Sequence, residues 1–408
     1  MFHQLIPNGH VTSPKGFQAG SIHSGVKKEE KDDLVVLLSD SPTTAAAAFT
    51  QNKAAAAPVH LSREVFQGGD VRAVLINSGN ANACTGDRGM EDARRLQQAA
   101  ADALGLTQNQ VALASTGVIG VPLPMDKVLE GIPRVTAAMG SDNGSQAAEG
   151  IMTTDTTRKE IAIELLINGK TVVIGGMAKG SGMINPNMAT MLAFVTTDAA
   201  VDPVFLQKAL LQTVEDTYNM ITVDGVTSTN DTIMVLANGQ AGNQVIDENH
   251  PEQAQFVEAL KLVNQALAVD IVQDGEGATK MIVALTEGFA TKGDARAAAK
   301  EVLNSNLVKT AIFGEDGNWG RIICSLGNSG AAFEMNDVAL ELSNSLGQAV
   351  QVLEKGLPLD YDEDAVAELL KDSHIIIRIT AASGSESARG WGCDLSYDYV
   401  KINGSYRS

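Results

Sequence analysis

Three features of the 408-residue chain predict a mixed α/β fold. Short β-prone runs alternate with segments whose apolar residues recur at helical spacing. Ile161, Ile163, Leu165 and Ile167 alternate with less apolar neighbours, and Asn168-Gly169 then supplies a two-residue hairpin turn before Val172 to Ile174. The composition, 44% hydrophobic and 19% charged with few aromatics and abundant glycine, is that of a globular α/β enzyme rather than a disordered or fibrous chain. At this length two or more domains or lobes are expected.

Charge and cysteine usage narrow the partners. A formal net charge of −19 argues against nucleic-acid backbones and anionic membranes. Cys84, Cys324 and Cys393 lie far apart and form neither a disulfide framework nor a paired metal spacing, and the six histidines are equally scattered. No metal site is therefore expected, and a reducing compartment is the simpler reading. The first residues lack the basic segment and apolar run of a secretory signal, and no window reaches membrane-spanning length, so a cytoplasmic location is expected.

Taken in order, Leu34 to Leu38, Ala48 to Thr50 and Val71 to Ile76 read as strands. The last runs into NSGNANACTG (Asn77 to Gly86), whose small amides and hydroxyls suit turns and caps as well as the lining of a site. From Asp87 a helix presents Met90, Ala93, Leu96, Ala100 and Leu104 on one face, with Gly105 placed to end it. Val111 to Ala114 is a further strand, leading into Ser115 to Gly120, where backbone N–H groups of a glycine-rich turn could bind an oxyanion. A helical region spans Met125 to Ala138, and the hydroxyl cluster Met152 to Thr156 precedes the hairpin. Asp202-Pro203 is an N-cap with proline at the first helical position, followed by Leu206, Leu210 and Val214. The polar loop Asp224 to Asp231 feeds a strand from Thr232 to Leu236, and a helix runs from Pro251 to Val269. Gln273 to Lys280 flanks one acid, Glu276, with two glycines, so the backbone can approach a ligand while the carboxylate faces it; a plain acidic turn has the same pattern. Asp294 to Leu307 reads as helix, and strands at Val350 to Leu353 and Ile375 to Ile379 surround a helix from Asp362 to Lys371, which makes the last lobe α/β.

The organising stretch is KGSGMINPNMATMLAFVTTD, from Lys179 to Asp198. Its first half is turn-forming, and from Leu192 it becomes an apolar strand. Thr190 stands at the join. An ordinary turn-to-strand junction would look the same, but a hydroxyl held after a strained turn can also attack its own upstream carbonyl. Hydrolysis of the resulting ester frees an N-terminal threonine, whose hydroxyl is a nucleophile and whose α-amine, with a reference pKa of about 7.7 to 8.0, is a base near neutral pH.

KGSGMINPNMATML closely resembles the signature of the ornithine acetyltransferase family, the glutamate N-acetyltransferases of arginine biosynthesis. FTQN, NSGNANACTG, DGVTSTND, GEDGNWGRI and the tail WGCDLSYDYVKINGSYRS resemble further family strings, in family order, and the likeness extends from Val11 to the last residue. A single glycine-rich match would be weak, whereas an ordered set is specific. Val226 replaces an acid of the family string, Gly317 stands where proline is usual and should loosen its loop, and Ser408 replaces a commoner threonine while keeping the hydroxyl.

The resemblance implies a layered α/β/β/α-type sandwich similar to N-terminal nucleophile enzymes, with a C-terminal α/β lobe at roughly 281–408. It implies self-cleavage between Ala189 and Thr190 into an α chain, 1–189, and a β chain, 190–408, assembled as an α2β2 heterotetramer. It makes Thr190 the nucleophile and places the oxyanion hole on Thr116 and Gly117. The substrate-binding positions it implies are Thr153, Lys179, Thr190, Glu276, Asn403 and Ser408. The expected activity is transfer of acetyl from N2-acetyl-L-ornithine to L-glutamate through an acetyl-threonine, without cofactor, and some members also accept acetyl-CoA as donor. The open alternative is an N-terminal nucleophile amidase or aminopeptidase, in which water takes the acyl group; a non-catalytic scaffold is disfavoured by the intact Thr190, Thr116-Gly117 and Glu276 set.

Overall fold

The computed structural model describes residues 3–185 and 191–404. Two sheets lie face to face. The smaller has the strand order Phe17–Ile22, Leu34–Ser39, Ala73–Asn80, Val111–Val118, antiparallel except for its last pair. The larger runs His3–Leu5, Lys159–Ile167, Lys170–Lys179, Leu192–Thr197, Thr232–Ala237, Thr44–Phe49, with Leu192–Thr197 and Thr232–Ala237 parallel. Alternation along each strand divides its side chains between two cores. Val35, Leu37, Val74 and Ile76 of the smaller sheet meet Met177, Leu192, Phe194 and Met234 of the larger. On the outer face of the smaller sheet, Leu34, Val36, Leu75 and Leu113 pack against helices Gly86–Leu104 and Met125–Ala137. Ile163, Val195 and Val235 of the larger sheet pack outward on helices Pro203–Glu215 and Gln253–Gln273. The layers are helix, sheet, sheet, helix, as the family resemblance implies. Because both faces of the inner strands are covered, Leu192–Thr197 is buried at every residue, its apolar run Leu192 to Val195 and the two threonines that follow alike.

A third, seven-stranded sheet builds the C-terminal lobe in the order Ile221–Thr222, Glu386–Cys393, Met281–Phe289, His374–Ala381, Val338–Asn344, Ala349–Glu354, Leu357–Pro358. Its Ile282 and Ala284 belong to the same continuous core as Leu260 and Val263 of helix Gln253–Gln273, so that helix is shared between the sandwich and the lobe.

Local signals act where expected. Asn168 and Gly169 take φ of 51° and 68° in the hairpin turn. Gly105 ends its helix at φ 65°, and the Asp202 carboxylate caps the next helix by accepting from Val204 N and Phe205 N. The helix read from Asp294 to Leu307 is instead two. Lys292–Asn304 stops at Ser305, whose hydroxyl accepts from Val308 N and starts Asn306–Phe313. The tryptophan-containing loop likewise becomes helix Trp319–Asn328. At Gly317 a Cβ would lie 2.6 Å from Val366 Cγ1, so its backbone approaches helix Glu363–Leu369 closely.

Candidate active site

Three strands of the larger sheet bring one end each to a common edge. Lys179 closes its strand in register with Leu192, Leu192 is in register with Thr232, and Asp231 immediately precedes Thr232. The end of the smaller sheet's last strand supplies Thr116 and Gly117 from the opposite layer. Between them lies a cavity of about 130 Å³. Thr116, Gly117, Thr153, Lys179, Glu276 and Asn403, all the expected site residues that fall among the described ones, line it. Met191 and Leu192 line it too. Ala189, Thr190 and Ser408 lie outside the described residues.

Gly117 is glycine for a backbone reason. Its φ is 134°, and a Cβ would stand 2.2 Å from the Gly79 carbonyl carbon and 2.4 Å from Asn80 N. The neighbouring strand shifts register at Gly79 and Asn80, so two backbones approach closely where the turn opens on the cavity. The amide-rich segment beside it is mainly scaffold. Asn77 Nδ2 donates to Asn80 O, Ser115 Oγ donates to Asn77 Oδ1, and Asn230 Nδ2 donates to Ala81 O and Ser115 O. Of that segment only Ala81 reaches the cavity wall.

Beneath the site is a buried charge network. Lys159 Nζ donates to Asp155 Oδ1 at 2.8 Å and to Asp274 Oδ2 at 2.6 Å. Asp155 also accepts from Gly180 N at 2.7 Å and Thr153 N at 3.0 Å, and Lys179 Nζ stands 3.9 Å from its Oδ2. Burial pushes the Asp155 carboxyl up, but Lys179, Lys159 and the hydrogen bonds outweigh it and hold the group below the ordinary carboxylate range. Lys179 is moved the other way. Burial lowers its ammonium below the usual lysine value despite the attraction of Asp155, and its Nζ points at Thr116 Oγ1, 3.4 Å away.

Two further acids line the cavity. Glu276 rests on Gly182, where a Cβ would meet Oε2 at 2.3 Å, and accepts from Asn403 Nδ2 at 2.7 Å. Asp231 is 2% exposed, its Oδ2 has no hydrogen-bond partner, and burial raises its carboxyl well above the ordinary value against the pull of Ser228 and Lys179. Asp155, Lys159, Asp231 and Asp274 escaped residue-by-residue reading. Asp155 and Asp231 each stood in a polar cluster noted in the sequence, but nothing in those clusters distinguishes a buried carboxyl from a solvated turn.

The segment leading toward Thr190 is held from the other side. Asp224 accepts from Met183 N at 2.6 Å and Ile184 N at 3.0 Å, Asn185 Nδ2 donates to Gly225 O, and Thr227 Oγ1 donates to Asn185 O. Met183 takes a φ of 56°, which is uncommon for a long side chain. Val226 of the same loop is half exposed and does not line the cavity, so the loss of the family's acid there leaves the cavity wall unchanged. Among the described residues no helix is long and apolar enough to cross a membrane, and no group of three His, Cys, Asp or Glu side chains could hold a metal ion.

Residues 18–408 match the model of the ArgJ family. The arginine biosynthesis bifunctional protein ArgJ of Caldanaerobacter subterraneus subsp. tengcongensis is 49% identical over 403 residues, covering 99% of this chain and 100% of that one. The protein of the same description from Symbiobacterium thermophilum is 50% identical over 402 residues, covering 98% and 99%. Among solved structures, the ornithine acetyltransferase of Mycobacterium tuberculosis complexed with ornithine is 39% identical, with a TM-score of 0.43 over 46% of this chain and 100% of that one. The likeness to the two full-length relatives and the match to the family model run through every element that lines the cavity, and the chain belongs to the ArgJ family.

Proposed function

We propose that this chain is a glutamate N-acetyltransferase of arginine biosynthesis, moving acetyl from N2-acetyl-L-ornithine to L-glutamate through an acetyl ester on Thr190. The observation that carries the reading is convergence. Six expected site residues, spread from position 116 to 403, line one cavity, whose wall includes Met191, the residue bonded to Thr190.

Thr190 first severs the Ala189-Thr190 bond and so gains a free α-amine. The α chain, 1–189, and β chain, 190–408, stay together because Leu192–Thr197 is hydrogen-bonded between Lys170–Lys179 of one and Thr232–Ala237 of the other. In the first half-reaction the α-amine takes the hydroxyl proton as the oxygen attacks the acetyl carbonyl, and Thr116 with the Gly117 turn stabilises the oxyanion. Ornithine departs, glutamate enters, and the ester carbonyl is attacked by the incoming nitrogen. Glu276, oriented by Asn403, pairs with the ornithine ammonium, while Lys179 offers a positive charge to a carboxylate; Thr153 and Ser408 complete the amino-acid subsites. Exclusion of water from the site while the ester exists keeps glutamate the acceptor.

The description of the full-length relatives as bifunctional supports acetyl-CoA as a second donor, giving N-acetylglutamate directly, with no bound cofactor required. An α2β2 assembly in the cytoplasm completes the proposal, and the free thiols at Cys84 and Cys324 suit a reducing compartment. The test is intact-protein mass with product analysis. The purified enzyme is expected as two fragments, the second beginning Thr-Met-Leu-Ala, with one acetyl group added to it by acetylornithine. Thr190→Ala is expected as one uncut, inactive chain. Efficient cutting of that variant would remove Thr190 from the mechanism, and ornithine released with free acetate but no acetylglutamate would make the enzyme an amidase.

A further inference from the structure

Asp231 has no part in the mechanism above, yet its carboxyl lines the same cavity as Thr116, Gly117 and Lys179. It is almost wholly buried, and its Oδ2 is without a hydrogen-bond partner. A buried polar oxygen left unpaired is costly and uncommon. Its placement is built rather than incidental. Its backbone carbonyl accepts from Thr50 N at 2.9 Å, and the next residue donates from Thr232 N to Met191 O at 2.8 Å, which ties Asp231 to the strand that begins beside residue 190.

The other charged side chains of the wall are engaged. Lys179 faces Thr116 Oγ1 and Asp155, and Glu276 is held by Asn403. Asp231 thus offers the cavity a carboxyl oxygen with nothing bound to it.

Acetyl transfer between two amino acids has a proton problem that such a group answers. Ornithine's nitrogen leaves an amide, in which it carries one hydrogen, and becomes an ammonium with three. Glutamate arrives as an ammonium and must shed two protons to become an amide. The Thr190 hydroxyl and α-amine account for one proton in each direction. One more must be supplied and later recovered.

We propose that Asp231 is the proton store of the transfer: its carboxylic acid gives a proton to the departing ornithine nitrogen and recovers one from the incoming glutamate ammonium. This rests on the acetyltransferase reading above. In the first half-reaction, acetylornithine, the Thr190 hydroxyl and the Asp231 acid become acetyl-Thr190, the ornithine ammonium and the Asp231 carboxylate. In the second, acetyl-Thr190, the glutamate ammonium and the carboxylate become acetylglutamate, the free hydroxyl and the acid. Protons and charge balance in each half. Burial, which raises the pKa of this carboxyl, suits the resting acid, and the nearby Lys179 ammonium suits the carboxylate that exists between the halves.

The experiment compares two acetyl donors on the cleaved enzyme in a single turnover, followed by intact mass. Acetylornithine needs a proton on its leaving nitrogen; p-nitrophenyl acetate expels a phenolate that needs none. In Asp231→Asn, acetylation by acetylornithine is expected to fall about 100-fold, and acetylation by the ester to stay within about threefold of the wild type. Equal loss with both donors would reduce Asp231 to a structural residue, and no loss with either would remove it from the reaction; both overturn the proposal. If Asp231→Asn does not fold or cleave, Asp231→Glu replaces it. Its longer acid is misplaced for the leaving nitrogen, so acetylation by acetylornithine is expected to fall about tenfold while acetylation by the ester stays within about threefold of the wild type, and equal loss with both donors overturns the proposal there too. A wild type acetylated by the ester but never by acetylornithine would instead sink the acetyltransferase reading itself.

Discussion

Asp155 and Asp231 are buried to a similar depth and both feel the Lys179 ammonium, yet their acidities are driven apart. Asp155 sits in the turn before the hairpin, where it receives Lys159 Nζ and two backbone N–H groups and stays ionised. Asp231 sits at a strand entrance, where Ser228 and Lys179 do not compensate its burial, and its carboxyl is pushed well above the ordinary value. Burial alone therefore assigns no role. The number of donors aimed at each carboxylate decides whether it is a fixed anion that supports the site or an acid able to exchange a proton, and such divergent pairs mark acid and base assignments in enzymes.

The comparison is broken most severely at Lys159. Lys159→Met strips the ammonium from Asp155 and Asp274 together and is expected to cost about 3–5 kcal/mol in urea unfolding. Asp231→Asn keeps an oxygen to accept from Ser228 and loses no partner at the unpaired Oδ2, so a comparable loss there would contradict the contrast. Gly117→Ala tests the cavity wall that Gly117 shares with Asp231. Its Cβ cannot fit against Gly79 and Asn80, so the oxyanion turn must move, and the transfer rate is expected to fall by roughly 10² to 10³ with the fold retained.

Acid stability sharpens the contrast by sign. Asp155, lowered in the folded state, contributes stability that is present above its unfolded value, about 3.9, and lost as pH falls through its folded value. Asp231, raised in the folded state, contributes stability that is complete below about pH 3.9 and lost as pH rises through its folded value. The stability of Asp231→Asn minus that of the wild type is thus expected to grow from about pH 4 upward. A difference that stays flat between pH 4 and 8 would mean that Asp231 is ionised. The smallest effect is expected at Asn403→Ala, which removes one hydrogen bond from Glu276 and should raise the KM for acetylornithine by about tenfold, with kcat little changed.

Much of the architecture was legible in the chain. Period-2 alternation, Asn168-Gly169, the Asp202 cap and the Gly105 stop are local devices, and each acts within a few residues of itself. Less legible was the seven-stranded sheet. Its Glu386–Cys393 strand carries Gly390 and Gly392, poor strand formers that are required because a Cβ at Gly390 would stand 2.8 Å from Leu303 Cδ1 of the helix packed on it. The break at Ser305 was equally hidden, since helical periodicity continues through it while only the cap on Val308 N separates the two helices. For the cavity, ordered motifs pointed to Thr116, Gly117, Thr153, Lys179, Glu276 and Asn403, and the fold brings these together. Asp155 and Asp231 carried no mark of their opposite states.

Taken by itself, the sequence determined a mixed α/β class and the positions of several turns and caps, because periodicity and backbone preference are properties of neighbouring residues; the layered plan came only with the family whose motifs run through the chain. Only the tertiary structure decided that the Asp155 carboxyl is held low by its bonded partners and that Asp231, with its Oδ2 unpaired, is pushed high. Desolvation and charge act through space, and the groups that set them, Lys159 and Asp274 for the one and Ser228 and Lys179 for the other, are assembled by the packing of sheet ends and loops from separate parts of the chain.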